Sequence, residues 1–499
     1  MKAKSIIVAM VLIIFFIGCK AQHKKKEAGS PELKKTIENF VKSVIDEFQI
    51  PGLAFSIVMD NTIYESKVFG VSNIETMQPL TSESIFHMAS ISKTFMATAI
   101  IQLVEEGKIN IDEPLVNYLP YFRLNDSLYM TITIKQILTH TSGFPDVDDY
   151  EWDKPQFDDG SAERYVRSIS NKKMIAKPGD RYEYSNMSFD VLADLILKVS
   201  GKTFEDYVRE NILDPIGMVE SDFILDSINQ DNRISGHEGI LIPSVVDQYP
   251  YNRSHAASSC LNSNIIEMSN WAIVNINKGK INNHRILSRT SYDIMFKPLV
   301  NIPEGDYENA DSIGLSWFIK NFKGNKVFYH GGGDIGFRSY IAIIPEKSIG
   351  VVIASNYGGT PNREVAFGIL DIMLGFEPQM PKIPIQKIML NHILERNVSV
   401  AIEEYYALKI NGTQQYLFGE WMLNSLGYYL LNINRVNDAI TIFSLNVKEF
   451  PDYANGYDSL GEAYMKTGQT ELAIKNYEKS LELNPDNENA QKMLDKLKN

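Results

Sequence analysis

Cysteine is almost missing from this chain: two residues in 499, Cys19 and Cys260. A disulfide framework is excluded, and the fold has to stand on core burial. An excess of positive charge is missing too. Lys and Arg number 49 against 62 Asp and Glu, a net charge of −13. A surface that grips nucleic-acid phosphates needs the opposite balance. The eight histidines show no H-x-x-x-H or H-E-x-x-H spacing, so neither a metal nor a cofactor is expected. Long apolar runs are missing with one exception, which lies at the very start.

That exception is MKAKSIIVAMVLIIFFIGC. Basic Lys2 and Lys4 precede an apolar run from Ile6 to Ile17, which ends at Gly18-Cys19. The run is short for a membrane span and has the form of a signal-peptide core; a transmembrane anchor is the other reading. The small residue before a cysteine resembles a bacterial lipobox. The resemblance implies cleavage before Cys19, a lipid on that cysteine and a periplasmic-side cell-envelope location. Lys20 carries no inner-membrane aspartate signal, which points to the outer membrane. Residues 1–18 are then a lipoprotein leader and 19–30 a polar, basic tether. With Cys19 lipidated, Cys260 has no intramolecular partner.

The remainder is patterned as a folded chain. Residues 30–47 read as an amphipathic helix, with Leu33, Ile37, Phe40, Val41, Val44 and Ile45 on one side. Pro51-Gly52 ends it, and two strand-like runs follow across the turn Asp60-Asn61. Helical patterning dominates from Ser90 to about Ile276. Strand patterning returns in VFYHGG, FRSYIAIIPE and SIGVVIASN, the last two joined at Glu346-Lys347. Strands at both ends with helices between predict one α+β unit over 31–376, its terminal segments sharing an antiparallel sheet. Pro378, Pro381 and Pro384 mark a connector over 377–418. Residues 419–499 repeat with a period of 34: Gly427 matches Gly461, Ala439 matches Ala473, Phe443 matches Tyr477, Pro451 matches Pro485. That period, with small residues at helix crossings, is the tetratricopeptide signature.

Chemistry is suggested first by HMASISKTFMATAI. Ser90 and Lys93 have the spacing S-x-x-K, which alone is weak; Ser170 and Lys173 share it in a polar stretch. The copy at Ser90 opens a long apolar helix face carrying Phe95, Met96, Ala99, Ile100, Leu103 and Val104. A serine there lies in the positive end of the helix dipole. A lysine one turn on can reach it, and burial lowers an amine's pKa toward neutrality. The plain alternative is that Ser90 caps the helix. Ser92 points elsewhere.

The flanks decide the matter. FHMASISKTFMA resembles the first motif of the penicillin-binding and serine β-lactamase family. IKQILTHTSGF is similar to its L-x-H-T-S-G segment, Tyr184-Ser185-Asn186 to its Y-x-N motif, and VFYHGGGDIGF to its third motif in the His-x-Gly form. Decoys exist at Tyr307–Asn309, Tyr453–Asn455, His237–Gly239 and Lys466-Thr467-Gly468, but only one set has the right order and flanks. The resemblance spans roughly residues 35–360. It implies a β-lactamase/transpeptidase-like sheet flanked by helices plus an all-helical domain, ahead of the C-terminal helical repeats.

It also implies a serine hydrolase. Ser90 would form an acyl-enzyme, with Lys93 and Tyr184 sharing its proton in a way that sequence leaves open. Asn186 would donate to a substrate amide or hold Lys93. The oxyanion hole would take the N–H groups of Ser90 and Gly333, with His330 and Gly332 beside them. His330 stands where many relatives carry lysine, which favours esters and D-amino acid peptides over β-lactams as substrates; peptidoglycan peptidase is a further type. Arg338, on the next strand, either restores a positive charge or is a solvated strand-face residue, and it reads as the second. Ser259-Cys260 stands where many relatives have Gly-Gly, and Cys260 reads as buried structure. His140 reads as a hydrogen-bonded core residue. Partners would be a small-molecule or peptide substrate and a protein met through the repeats. The alternative class is an inactive, penicillin-binding-like sensor or scaffold that recruits a partner through its repeat module.

Overall fold

The computed structural model describes residues 31–306 and 309–498. The leader expected over 1–18, Cys19 and the tether over 19–30 lie outside them. Helix α1 (Pro31–Phe48) buries Leu33, Ile37, Phe40, Val41 and Val44, at the three-and-four spacing read from sequence. Strands β1 (Gly52–Met59) and β2 (Thr62–Asn73) follow. Asp60 and Asn61 both take positive φ, 49° and 65°, as a tight two-residue hairpin turn requires.

Three longer helices then build the layer on one side of the sheet: α2 (Ser92–Glu105), α3 (Asn186–Ser200) and α4 (Ile265–Ile276). In α2 every residue from Ser92 to Leu103 is buried, so the helix is surrounded rather than amphipathic. Its Thr94 hydroxyl returns to the carbonyl of the cap residue Ile91 and its Thr98 hydroxyl to that of Thr94, which lets polar residues sit there. The helical patterning expected up to Ile276 is interrupted. Between Gly217 and Asn264 the chain has only short strands and single 3-10 turns. Gly236, Gly239, Pro243 and Pro250 deny that stretch a regular helix.

Strands β3 (Phe318–Phe322), β4 (Asn325–Asp334), β5 (Phe337–Ile344) and β6 (Ile349–Ser355) bring the chain back. Helix α5 (Asn362–Met373) packs beside α1. The nine-stranded sheet runs Val300–Asn301, Ser312–Ile313, β3, β4, β5, β6, β1, β2, Gln78–Pro79, with antiparallel neighbours throughout. β6 pairs with β1, so the two ends of the unit share one sheet. Alternate residues of β1 feed opposite layers: Ala54 and Val58 join the core with α2–α4, and Leu53, Phe55 and Ile57 join the core with α1 and α5.

Seven helices complete the chain: α6 (Ile385–Glu395), α7 (Val398–Asn411), α8 (Glu420–Asn432), α9 (Val436–Glu449), α10 (Ala454–Lys466), α11 (Thr470–Leu483) and α12 (Glu488–Lys498). The 34-residue period falls on the pairs α8/α9 and α10/α11. Gly427 of α8 lies against Phe443 of α9, and Gly461 of α10 lies against Tyr477 of α11. The helical unit leans on the first one. Ile240 and Leu241 pack on its apolar core, and Lys387 Nζ donates to the Phe48 carbonyl at 2.9 Å. Two repeats alone are few for a free-standing array, and α6, α7, α12 and this contact supply the extra burial.

A methyl group at Gly427 would come within 2.3 Å of the Phe443 ring. Overpacking of that kind costs about 1–3 kcal/mol, against a helix-propensity gain of up to about 1 kcal/mol. Gly427→Ala should therefore lower the denaturant midpoint of the helical unit followed by circular dichroism. An equal or higher midpoint would show that the crossing tolerates a side chain.

Candidate active site

Ser90 sits just ahead of α2. The helix begins at Ser92 with Ile91 at its cap and no capping side chain, so Ser90 is not the cap that the sequence offered as an alternative. Ala89 before it takes φ 47°, a left-handed conformation costly for a residue with a Cβ. The surrounding framework holds it: the Ser92 hydroxyl donates to the Ala89 carbonyl at 2.7 Å and accepts from Leu261 N–H at 3.0 Å. Ser92 is thus a tie under the turn that carries Ser90.

Lys93 is fully buried. Its Nζ donates to Ser90 Oγ at 3.0 Å, to Asn186 Oδ1 at 2.5 Å and to the Ser258 carbonyl at 2.8 Å. Three donors meet three acceptors. Burial lowers its pKa to about 8, against the opposing pull of Asp190, Asp146 and Asp334. Ser170 and Lys173, the other S-x-x-K pair, lie in and after a short 3-10 turn at the surface. Lys466-Thr467-Gly468 closes α10 with Gly468 at φ 71°, a turn and nothing more.

Asn186 is held in turn. Its backbone N–H and its Nδ2 both donate to Asp146, at 2.7 and 3.1 Å for Oδ1. This fixes the amide so that its oxygen faces Lys93. Tyr184 presents its ring to Lys93, with Nζ 5.1 Å from the centroid. The His140 ring stacks on that of Tyr184 at 4.2 Å, and His140 Nδ1 accepts from Ser185 N–H at 3.2 Å. His140 is buried as expected, at φ 52°, and its pKa is held well below the usual range by burial and then by Lys93. It does more than fill space: it backs the tyrosine.

His330 lies on β4, buried, with Nδ1 2.7 Å from the Gly331 carbonyl. Burial first, and Lys93 second, lower its pKa to about 3. It is a neutral imidazole. Nδ1 carries the proton toward a carbonyl, so Nε2 presents a lone pair. Gly332 touches the segment that carries Ser90 directly: a Cβ there would lie 2.3 Å from the Met88 carbonyl and 2.2 Å from Ser339 Oγ. Only glycine allows β4 this close to the turn that carries Ser90. β3 pairs with β4 only as far as Tyr329, so Gly331, Gly332 and Gly333 extend past that partner.

Arg338 pairs across from Gly333 and is half-buried, its Nη1 donating to the Asp334 and Phe337 carbonyls at 2.8 and 2.7 Å. Cys260 is buried, its thiol donates to the Asn252 carbonyl at 3.3 Å, and burial pushes its pKa well up. It is unsuited to be a nucleophile. Ser259 beside it donates to Asp334. The structure therefore brings Ser90, Lys93, Tyr184, Asn186, His330 and the glycine run of β4 around one place. Sequence reasoning missed Ser258, Asp146 and Asp334. A carbonyl acceptor such as that of Ser258 leaves no mark in a sequence, but an acid directly after the glycines was visible.

A family model described as Beta-lactamase matches residues 33–371, and one described as Tetratricopeptide repeat matches residues 459–487. Protein flp of Staphylococcus aureus (strain COL) is 24% identical over 324 residues, covering 65% of this chain and 63% of that protein. The match thus spans less than two thirds of that relative's length. Unguisins hydrolase ungD' of Aspergillus campestris is 27% identical over 382 residues, covering 71% of this chain and 68% of its own. Among solved structures, the octameric penicillin-binding protein homologue from Pyrococcus abyssi superposes with a TM-score of 0.62 at 28% identity, covering 72% of this chain and 82% of that one. SurE superposes at 0.59 and 20% identity, a likeness of fold.

Proposed function

The chain belongs to the beta-lactamase family, and from that premise we propose that it is a serine hydrolase acting through an acyl-Ser90 intermediate. The observation that carries the reading is Lys93 Nζ, fully buried and 3.0 Å from Ser90 Oγ. Ser90 attacks the substrate carbonyl, and its proton passes to the Lys93–Tyr184 pair. The developing oxyanion takes N–H groups of Ser90 and Gly333. Asn186, locked by Asp146, holds Lys93 in register. The leaving group takes the proton back, and water repeats the cycle on the acyl-enzyme. Membrane attachment through Cys19 and recruitment of a protein by α8–α11 complete the reading.

The substrate preference follows from charge. A β-lactam presents a carboxylate beside the reacting ring. His330 is neutral and offers a lone pair where a lysine would offer a cation. One ionic hydrogen bond is worth about 1.5–3 kcal/mol. We expect p-nitrophenyl esters to be hydrolysed with at least about tenfold higher kcat/KM than nitrocefin. Faster nitrocefin turnover would overturn the preference. A fluorophosphonate probe tests the reading as a whole: it should label Ser90, and a chain that resists every such probe is the scaffold of the alternative reading.

A further inference from the structure

Asp334 ends β4, directly after the glycine run. Alternate residues of a strand share a face. Asp334 therefore faces as Gly332 and His330 do, toward the segment that bears Ser90. One carboxylate oxygen, Oδ2, accepts from the Ser259 hydroxyl and lies 2.7 Å from His87 Nε2. Both partners are buried and both border the nucleophile. His87 precedes Ser90 by three residues, and Ser259 follows Ser258, whose carbonyl holds Lys93. Ser259 is one of the two residues that stand in place of the expected glycine pair. The departure and the acid are thus one device. Asp334 Oδ1 accepts no hydrogen bond among the described residues. The nearby Arg338 spends Nη1 on backbone carbonyls and makes no ion pair with that carboxylate. A carboxylate held rigidly on one oxygen and open on the other is an acceptor for N–H donors.

We infer that Asp334 is a specificity-determining residue that binds a cationic group, an ammonium carried beside the scissile carbonyl of the substrate. The inference rests on the acyl-Ser90 reading and narrows it to acyl donors with a free amine. Ser259 and His87 are positioning residues: they aim the carboxylate and do not touch the substrate. Asp146 and Asp190 add negative charge around Lys93, while Lys93 itself disfavours a cation at His330, so the attraction is local to Asp334.

The test uses the full chain and protection of Ser90 from a fluorophosphonate probe. Three matched compounds compete: the p-nitroanilides of glycine, N-acetylglycine and N-succinylglycine, which are cationic, neutral and anionic. Glycine p-nitroanilide should half-protect at a concentration about tenfold below the neutral compound and further below the anionic one. Asp334→Asn keeps an acceptor for Ser259 and His87 and should bring the three concentrations together. Raising the salt from 0.05 to 0.5 M should narrow the same gap in the unmodified protein, which reads the charge without any substitution. Equal protection by all three, no protection by any, or an unchanged order in Asp334→Asn would each overturn the inference. Preferential protection by the anionic compound would assign the recognition to Arg338 instead. A Ser90 that never labels would end the acyl-serine reading, a failure distinct from these.

Discussion

Ser90→Ala should lower ester hydrolysis by at least about 10⁴-fold and abolish fluorophosphonate labelling. The size follows from what a nucleophile does. Without it no acyl-enzyme forms, and only binding and oxyanion stabilisation remain, which in other serine hydrolases leave a small residue of rate over water. The protein should still fold. Ser90 is only half-buried and caps no helix, so its loss opens neither a core cavity nor a helix end. The framework of the turn is the Ser92 hydroxyl, which the variant keeps. Intact circular dichroism with lost turnover assigns the effect to chemistry. Turnover within tenfold of the unmodified protein would remove Ser90 from the mechanism.

Much of this arrangement was legible because the physics behind it is local. The first helix and the strands at both ends are written in apolar periods, and the paired ends of the sheet follow from strands that bracket helices. The repeats are written in a 34-residue offset with glycine facing an aromatic ring. Lys93, Tyr184 and His330 were legible as a set, since each motif carries its own flanks. The stretch from Gly217 to Asn264 was not. Its apolar residues have no single period, and its shape is fixed by contacts with distant residues, such as Leu261 N–H on Ser92 Oγ. The short strands Val300–Asn301 and Ser312–Ile313 are two residues each, below the length at which alternation can be read. Asp146 acts on Asn186 from 40 residues away. No spacing rule reaches that far.

Two positions the sequence marked as departures, Ser259 and His330, bear on the charge of the site. Ser259 stands where the family resemblance leads us to expect glycine, and its hydroxyl donates to Asp334. His330 stands where the resemblance leads us to expect lysine, and burial keeps it neutral. His330 offers no cation, and the Ser259 hydroxyl tethers the carboxylate of Asp334. Both features would favour the neutral or cationic acyl donors proposed above.

Lys93 should show itself in two pH dependences of opposite origin. As an ammonium, its three hydrogens satisfy Ser90, Asn186 and Ser258. As an amine, two hydrogens remain for Asn186 and Ser258, and the lone pair faces the Ser90 hydroxyl. Only the second form accepts a proton. With a pKa of about 8, kcat/KM should climb roughly tenfold between pH 7 and 9. Lys93→Met should cost about 10³–10⁴-fold, in the upper range for loss of a general base. Stability moves for a different reason. The folded pKa lies below the unfolded value of about 10.5, so between the two the unfolded chain holds more protons. Burial of the ammonium therefore costs stability below pH 8, by about 3 kcal/mol, and the cost is relieved as the pH rises toward 10.5. The difference in unfolding free energy between the unmodified protein and Lys93→Met should change by that amount across this window, in favour of the unmodified protein at high pH. A flat rate profile from pH 6.5 to 9.5, with a stability difference that does not move, would mean that Lys93 stays charged and that Tyr184 alone takes the proton of Ser90.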